Sequence, residues 1–216
     1  MSTTNTTNNT NNTNNTNNAG ASAPAFKYIK RQIKLKNVRG SYIHAFGEGK
    51  PNVNGKLQWG ASLIIDKTTA EGQATILQVT NAISEVFKEV GITPARAGMI
   101  TGKGKIPLHA GETRLTKAGG PVDGYDETNM YVTCNNPKKS FPVYGRDGKQ
   151  ITDPLKVYGG AYYHAVINVY YYNTAGSDGI TASVESLQFV RDGERLGGGG
   201  GVVAIEIAPL SDDVLS

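Results

Sequence analysis

The stretch KVYGGAYYHAVINVYYYN, Lys156–Asn173, carries six tyrosines, one histidine and no carboxylate. Side chains alternate faces along a β-strand, so the period-2 reading of this run decides what it can pack against. From Ala161 onward one set is Ala161, Tyr163, Ala165, Ile167, Val169 and Tyr171, small and apolar enough for a core. The other set is Tyr162, His164, Val166, Asn168, Tyr170 and Tyr172. That second face is too polar for a core and too aromatic for an ordinary wet surface, and an exposed cluster of rings marks an interaction site. A chain containing such a strand must form a sheet with one buried face and one face that offers rings.

The remaining chain supplies the rest of that sheet. In KYIKRQIKLKN, Ile29, Ile33 and Leu35 share a face with Arg31, while Lys30, Gln32, Lys34 and Lys36 share the other, which predicts a strand with a basic outer stripe. KLQWGASLIID puts Leu57, Trp59, Ala61, Leu63 and Ile65 in phase as a second strand. Between about residues 68 and 90 the spacing turns helical, with Ile76, Val79, Ile83, Val86, Phe87 and Val90 at threes and fours. Thr68 with Glu71 has the spacing of a capping box and Gly91 that of a C-terminal stop. Residues 93–128, rich in Gly, Pro and charge, read as long loops. Strands resume at NMYVTCN, FPVYG and KQITD, the last two joined through Asp147 and Gly148, then the tyrosine strand and GITASVESLQFVRDG.

One domain with tails is expected from 216 residues. Residues 1–25 are almost wholly Asn and Thr, which cannot offset the entropy of ordering and predict a disordered leader. The folded domain is expected over 26–196, and 197–216 as a flexible glycine hinge, Gly197–Gly201, followed by an acidic tail. The formal charge is +4, yet the last fifteen residues hold Glu206, Asp212 and Asp213 and no cation, so residues 1–201 set 22 cations against 15 acids, a net +7. A basic body calls for an anionic partner, nucleic acid before membrane, because no apolar run approaches a bilayer span. Cys134 is the only cysteine, which excludes an intrachain disulfide and a multi-cysteine zinc site. The N-terminus lacks the pattern of a secretory signal, and a reducing cytoplasm is the expected compartment.

No catalytic motif emerges. His44, His109 and His164 lie far apart in sequence and in no metal or protease pattern, and GKGK, Gly102–Lys105, lacks the spacing and following helix of a phosphate loop. No cofactor and no metal site are expected. Binding accounts for more. Lys27, Lys30, Arg31, Lys34, Lys36 and Arg39 occur without an acid over 27–39, and Arg96, Lys103, Lys105, Arg114 and Lys117 face only Glu112 over 96–117. Cations that follow phosphates and rings that stack on unpaired bases are the parts of a single-strand binder, and they give affinity without sequence preference. On this reading Lys30, Lys34, Lys36, Arg39, Lys103 and Lys105 contact phosphate and Tyr158, Tyr162, Tyr170 and Tyr172 stack on bases. Trp59, in phase with the core set, is expected as a core ring with its indole N–H bonded, or else at the edge of the groove. Gly159 and Gly160 mark a bulge that can shift the phase of Tyr158.

Strands, one helix and more strands fit a small Greek-key barrel of the OB type, and equally a β-sandwich. A structural phage virion subunit with a tyrosine-rich β interface is the competing reading, and a metal-dependent nuclease a weaker third. NNPKKSFPVYGRDGKQI, VYGGAYYHAVINVYYYN and DGERLGGG, together with VRGSYIHAFGEG and the strand-then-helix block Leu57–Val90, occur in an order that resembles the bacteriophage single-stranded-DNA-binding proteins long catalogued as a domain of unknown function. The likeness covers roughly residues 30–200. It implies an OB fold, sequence-non-specific binding of single-stranded DNA in phage replication or recombination, and an acidic C-terminal tail that contacts partner proteins and competes with DNA for the groove; a binding protein without enzymatic activity is expected. Asp212 and Asp213 are the tail residues to which that role would fall, although PLSDDVLS is shorter in acids than such tails. Homo-oligomerisation is compatible with the resemblance and is not specified by it.

Overall fold

The computed structural model describes residues 29–52, 55–174 and 177–197. The leader over 1–25, most of the glycine hinge and the tail carrying Asp212 and Asp213 lie outside the described residues.

The alternating segments form the strands of one curved sheet. In chain order these are β1 (Lys30–His44), β2 (Lys50–Pro51), β3 (Leu57–Asp66), β4 (Leu108–Ala110), β5 (Asn129–Asn136), β6 (Val143–Tyr144), β7 (Tyr162–Thr174) and β8 (Ser177–Arg191). Helices α1 (Ala70–Val90) and α2 (Pro94–Gly102) are inserted between β3 and β4. Strand β1 is long enough to pair with β7 along its first part and with β3 along its last, and β3 pairs in turn with β5. The β7–β8 hairpin and a parallel contact of β5 with β8 complete the circuit β1-β3-β5-β8-β7. This is a closed five-stranded barrel of OB type, which removes the sheet edges a sandwich would leave.

The closing seam has a single backbone pair, Cys134 opposite Ala182. Below it the side chain of Asn136 does what a strand backbone would do. Its Nδ2 donates to the Val184 carbonyl at 2.6 Å and its Oδ1 accepts from the Val184 N–H at 3.0 Å. Asn136 is buried, so both bonds replace water that cannot reach the site.

The two faces of the tyrosine strand fall as its alternation requires. Ala161, Tyr163, Ala165, Ile167, Val169 and Tyr171 are all buried, whereas Tyr162, Val166, Tyr170 and Tyr172 are half-exposed and His164 is exposed. Tyr163 is fully enclosed, its hydroxyl donating to the Tyr158 carbonyl at 3.1 Å and accepting from the Tyr158 N–H at 3.3 Å. Asn168 is the exception on the outer face. It is buried between Gln32 and Glu185, to both of which its side chain is hydrogen-bonded.

Helix α1 lays Val79, Ile83, Val86 and Phe87 into the core, with Ile76 and Val90 at the margin. Its N-cap is Thr69, whose Oγ1 accepts from the Gly72 N–H, and not Thr68. Thr68 is held instead by the Asp66 carboxylate, which accepts both its N–H and its hydroxyl and shifts the cap by one residue. Gly91, at φ 80°, ends the helix as expected. The segment read as long loops holds α2, capped by Thr93 with Pro94 in its first turn, and the short β4. Nine residues with three glycine or proline positions leave too little helical periodicity to detect. KQITD does not form a strand. Only Gln150 bridges back to Tyr144, across the turn at Asp147 and Gly148.

Replacing Asn136 with Ala would leave the Val184 N–H and C=O unpaired in the seam, at a cost of about 2–5 kcal/mol. Burial pushes the Cys134 thiol well above its usual range and screens it from reagents. Iodoacetamide should therefore label native protein slowly and N136A much faster, with chemical denaturation reporting the loss of stability.

Candidate nucleic-acid interface

Strand pairing sorts the basic and aromatic residues into three places. The first is a wall built by β1, β7 and the hairpin end. Lys30 stands directly across from Tyr170, and Lys34 across from Val166. Lys34 and Lys36 rim a cleft of about 460 Å³ against α1, shared with Glu71, Thr75 and Gln78. Tyr172 lies opposite Gly179, and Lys105 reaches the same hairpin, its Nζ 3.1 Å from Ser177 Oγ. Lys103 is exposed at the end of α2. Arg31, from the same basic run, is not part of the wall. It points to the core side and pairs with Glu85 at 3.1 Å and with Glu89 of α1.

The second place holds Tyr158, Tyr162 and Arg39 beneath a strap formed by residues 191–197. Each ring there is already covered by a guanidinium of its own chain. Arg191 stacks on Tyr162 at 3.3 Å from the ring centroid and Arg195 on Tyr158 at 4.1 Å. Arg39 donates to the carbonyls of Gly160 and Glu194 at 3.2 and 2.7 Å, which fastens the strap to β1 and to the turn that precedes β7. Tyr158 precedes the strand, past Gly160 at φ 110°, and its hydroxyl donates to Asp192. Burial, followed by that carboxylate, raises its pKa. Trp59 is in neither place. It is half-buried against the core, its indole N–H donating to the Gly47 carbonyl at 3.0 Å, and so pins the loop between β1 and β2.

The third place was not singled out in the sequence. Directly opposite residues His109, Tyr131, Ile64, Arg39, Tyr162 and Arg191 form one belt across β4, β5, β3, β1, β7 and β8. At its β4–β5 end the rings of His109 and Tyr131 lie 5.2 Å apart, Tyr125 meets Tyr131 edge-on at 5.0 Å, and Tyr42 follows at 6.5 Å from Tyr125. The Arg114 guanidinium lies within 6 Å of three of these rings, nearest Tyr42 at 5.0 Å. Tyr42 is 47 % exposed and has φ 47°, a left-handed conformation that is a true outlier for a bulky residue. It sits at the bulge between Ser41 and His44 in the β1–β3 ladder, just beyond Arg39, where β1 passes from β7 to β3. Strain of this kind persists where the surrounding structure imposes it, and here it turns an aromatic ring outward. The components come from residues 42, 109, 114, 125 and 131, and only the tertiary fold brings them together. The basic run around Arg114 was the one sequence signal.

In this shelf His109 is held below its usual pKa by burial and by the Arg114 charge. Among the described residues no group of three or more His, Cys, Asp or Glu side chains is arranged to hold a metal ion.

The comparisons with known proteins agree with this architecture. Protein p50 of Acyrthosiphon pisum secondary endosymbiont phage 1 is 24% identical over 181 residues, 83% of this chain and 94% of that one. The single-stranded DNA-binding protein from bacteriophage Enc34 in complex with ssDNA superposes with a TM-score of 0.59 at 18% identity, covering 77% of this chain and 89% of that one. Its C-terminal truncation gives 0.57 at 18% identity, with 76% and 88% covered. At such identities the superpositions establish the shared barrel.

His109 binds its proton more readily unfolded than folded, so its contribution to stability is complete above about pH 6.5 and declines as pH falls from there toward the lowered folded value. Thermal melts from pH 7.5 to 5.0 should show a decline that is shallower in H109Q, and an unchanged slope would contradict the burial of this ring.

Residues 31–206 match the family described as Enterobacter phage Enc34, ssDNA-binding protein, and the chain belongs to that family.

Proposed function

We propose that this protein binds single-stranded DNA without sequence preference, serving phage DNA replication and recombination in the host cytoplasm, and that it does so without catalysis. The carrying observation is the row of cations and rings on the outer wall of an OB barrel, with exposed Lys30 and Lys34 beside the half-exposed Tyr170 and Tyr172 on β1 and β7, together with Tyr42, 47 % exposed next to Arg114 above the buried Tyr125 and Tyr131. In OB folds the face of the second and third barrel strands, here β3 and β5, is the surface that takes oligonucleotides. Stacking needs no hydrogen-bond match, so rings of this kind accept any base.

Lys30, Lys34, Lys36, Lys103 and Lys105 supply phosphate contacts on this reading, and Tyr170 and Tyr172 supply rings beside them. Tyr42 is the leading stacking residue of the shelf. Tyr158 and Tyr162 take part only with Arg191 and Arg195 in place, each guanidinium presenting its charge outward from a ring. Arg39 acts by fastening the strap, and Trp59 by fixing the loop above the belt. Asp212 and Asp213, at the end of an acidic segment, are suited to engaging a basic surface of a replication or recombination protein. Self-association is a further part of the proposal. No helix among the described residues is long and apolar enough to cross a membrane.

The test is fluorescence anisotropy of labelled poly-dT against duplex DNA of equal length, titrated at several salt concentrations. Neutralising about four to six phosphates predicts a slope of log K on log salt of roughly −3 to −4. Salt-insensitive affinity, or none, would sink the reading. Tyr42→Gly relieves the left-handed strain while deleting the ring, so its folding stability should change little while ssDNA affinity falls by about 1–3 kcal/mol.

A further inference from the structure

The end of the β7–β8 hairpin carries an ion pair that the binding surface itself does not require. Arg96 of α2 reaches across to Asp178, its Nε donating to Oδ2 at 3.3 Å and its Nη2 contacting Oδ1. The core-facing Tyr171 donates its hydroxyl to the same Oδ2 at 2.9 Å. Asp178 is buried, at 8 % exposure, and its pKa is lowered chiefly by its bond to Arg96. A buried carboxylate fixed by a two-pronged guanidinium and a phenol makes a rigid joint, because displacing either partner strands a charge.

What the joint holds in place is cationic and aromatic. Just after α2 the chain turns through Lys103 and Gly104, the latter at φ 64°, to Lys105. The Lys105 carbonyl accepts the Ile180 N–H at 2.9 Å and its Nζ reaches Ser177. Gly179 lies between the two parts. A Cβ there would stand 2.6 Å from the Lys105 carbonyl oxygen and 2.8 Å from the Tyr172 hydroxyl, so the lysine backbone and the Tyr172 ring meet over a residue that must lack a side chain.

We propose that Asp178 and Arg96 are positioning residues for DNA binding, holding the Lys103–Lys105 turn against the β7–β8 hairpin so that Tyr172 takes a base and the lysines take the adjoining phosphates. The inference deepens the single-stranded-DNA reading and rests on it. Neither residue touches DNA. Their ion pair sets the spacing between a ring and its cations, and pre-organisation of this kind reduces the ordering that binding would otherwise demand.

Simple electrostatics and positioning predict opposite signs for one substitution. Asp178→Asn removes a negative charge and releases a guanidinium beside the lysines, and by charge alone it must tighten binding to an anionic chain. Positioning predicts the reverse. In poly-dT anisotropy titrations D178N should bind roughly 3- to 30-fold more weakly, the range of coupling between neighbouring residues. Its slope of log K on log salt should be shallower by about 0.7–1.4, one or two phosphate contacts on a single strand. K105A should show a similar loss, and D178N/K105A little more than K105A alone. Arg96→Lys keeps the charge, loses the two-pronged geometry, and should weaken binding in the same sense, which preserves the test if D178N folds poorly. Equal or tighter binding by D178N, or fully additive losses in the double variant, would overturn the proposal. Failure of the wild-type protein to bind poly-dT would overturn the underlying reading instead, and that arm is read first.

Discussion

Closure of the barrel at the β5–β8 seam is the constraint on which the rest of the molecule depends. Antiparallel neighbours supply every other junction of the circuit, with long registers such as the thirteen paired positions of β7 and β8. The parallel junction has one, and an asparagine amide extends it by presenting a donor and an acceptor to Val184 in the geometry of a peptide. Once that seam is shut, β3 and β5 are held side by side and β1 is forced to change partners partway along its length. The change of partners falls at Arg39, which pairs with both Tyr162 and Ile64, and the left-handed Tyr42 lies just beyond it, at the Ser41–His44 bulge of the β1–β3 ladder.

The cations divide by residue type. Arginines are committed to partners: Arg31 to α1, Arg96 to Asp178, Arg39 to the strap, and Arg114, Arg191 and Arg195 to tyrosine rings. The planar guanidinium can hold a ring face or a carboxylate while still offering its remaining donors outward. The lysines Lys30, Lys34, Lys36 and Lys103 are exposed, as point charges on flexible stems should be when their role is to follow a phosphate chain. Fixed arginines and free lysines together give a surface that is shaped in some places and adaptable in others, which suits a partner whose backbone repeats and whose bases vary.

The alternation of the tyrosine strand, the basic stripe of β1, the phase of β3 and the helix over 70–90 were all legible in the chain, because periods of 2 and 3.6 leave a direct imprint of one buried face. The order of these elements, with the motifs around DGERLGGG, also pointed to the OB barrel and its family. Less legible were features made by single side chains competing for one backbone group. Asp66 captured Thr68 and moved the helix cap to Thr69, and the short α2 lacked enough turns to show a period.

The sequence by itself determined which faces are buried, that the body is basic, and that tyrosines stand on an exposed strand face, since these follow from side-chain type and spacing along one segment. Only the tertiary structure decided which rings are open and which are covered. Tyr158 and Tyr162 lie under Arg195 and Arg191, delivered by a strap some thirty residues further on. Tyr42, Arg114, Tyr125 and Tyr131 are scattered over about ninety residues and form one shelf. Periodicity is a property of neighbours along the chain, whereas stacking is a property of neighbours across strands, and the closed barrel fixes the second.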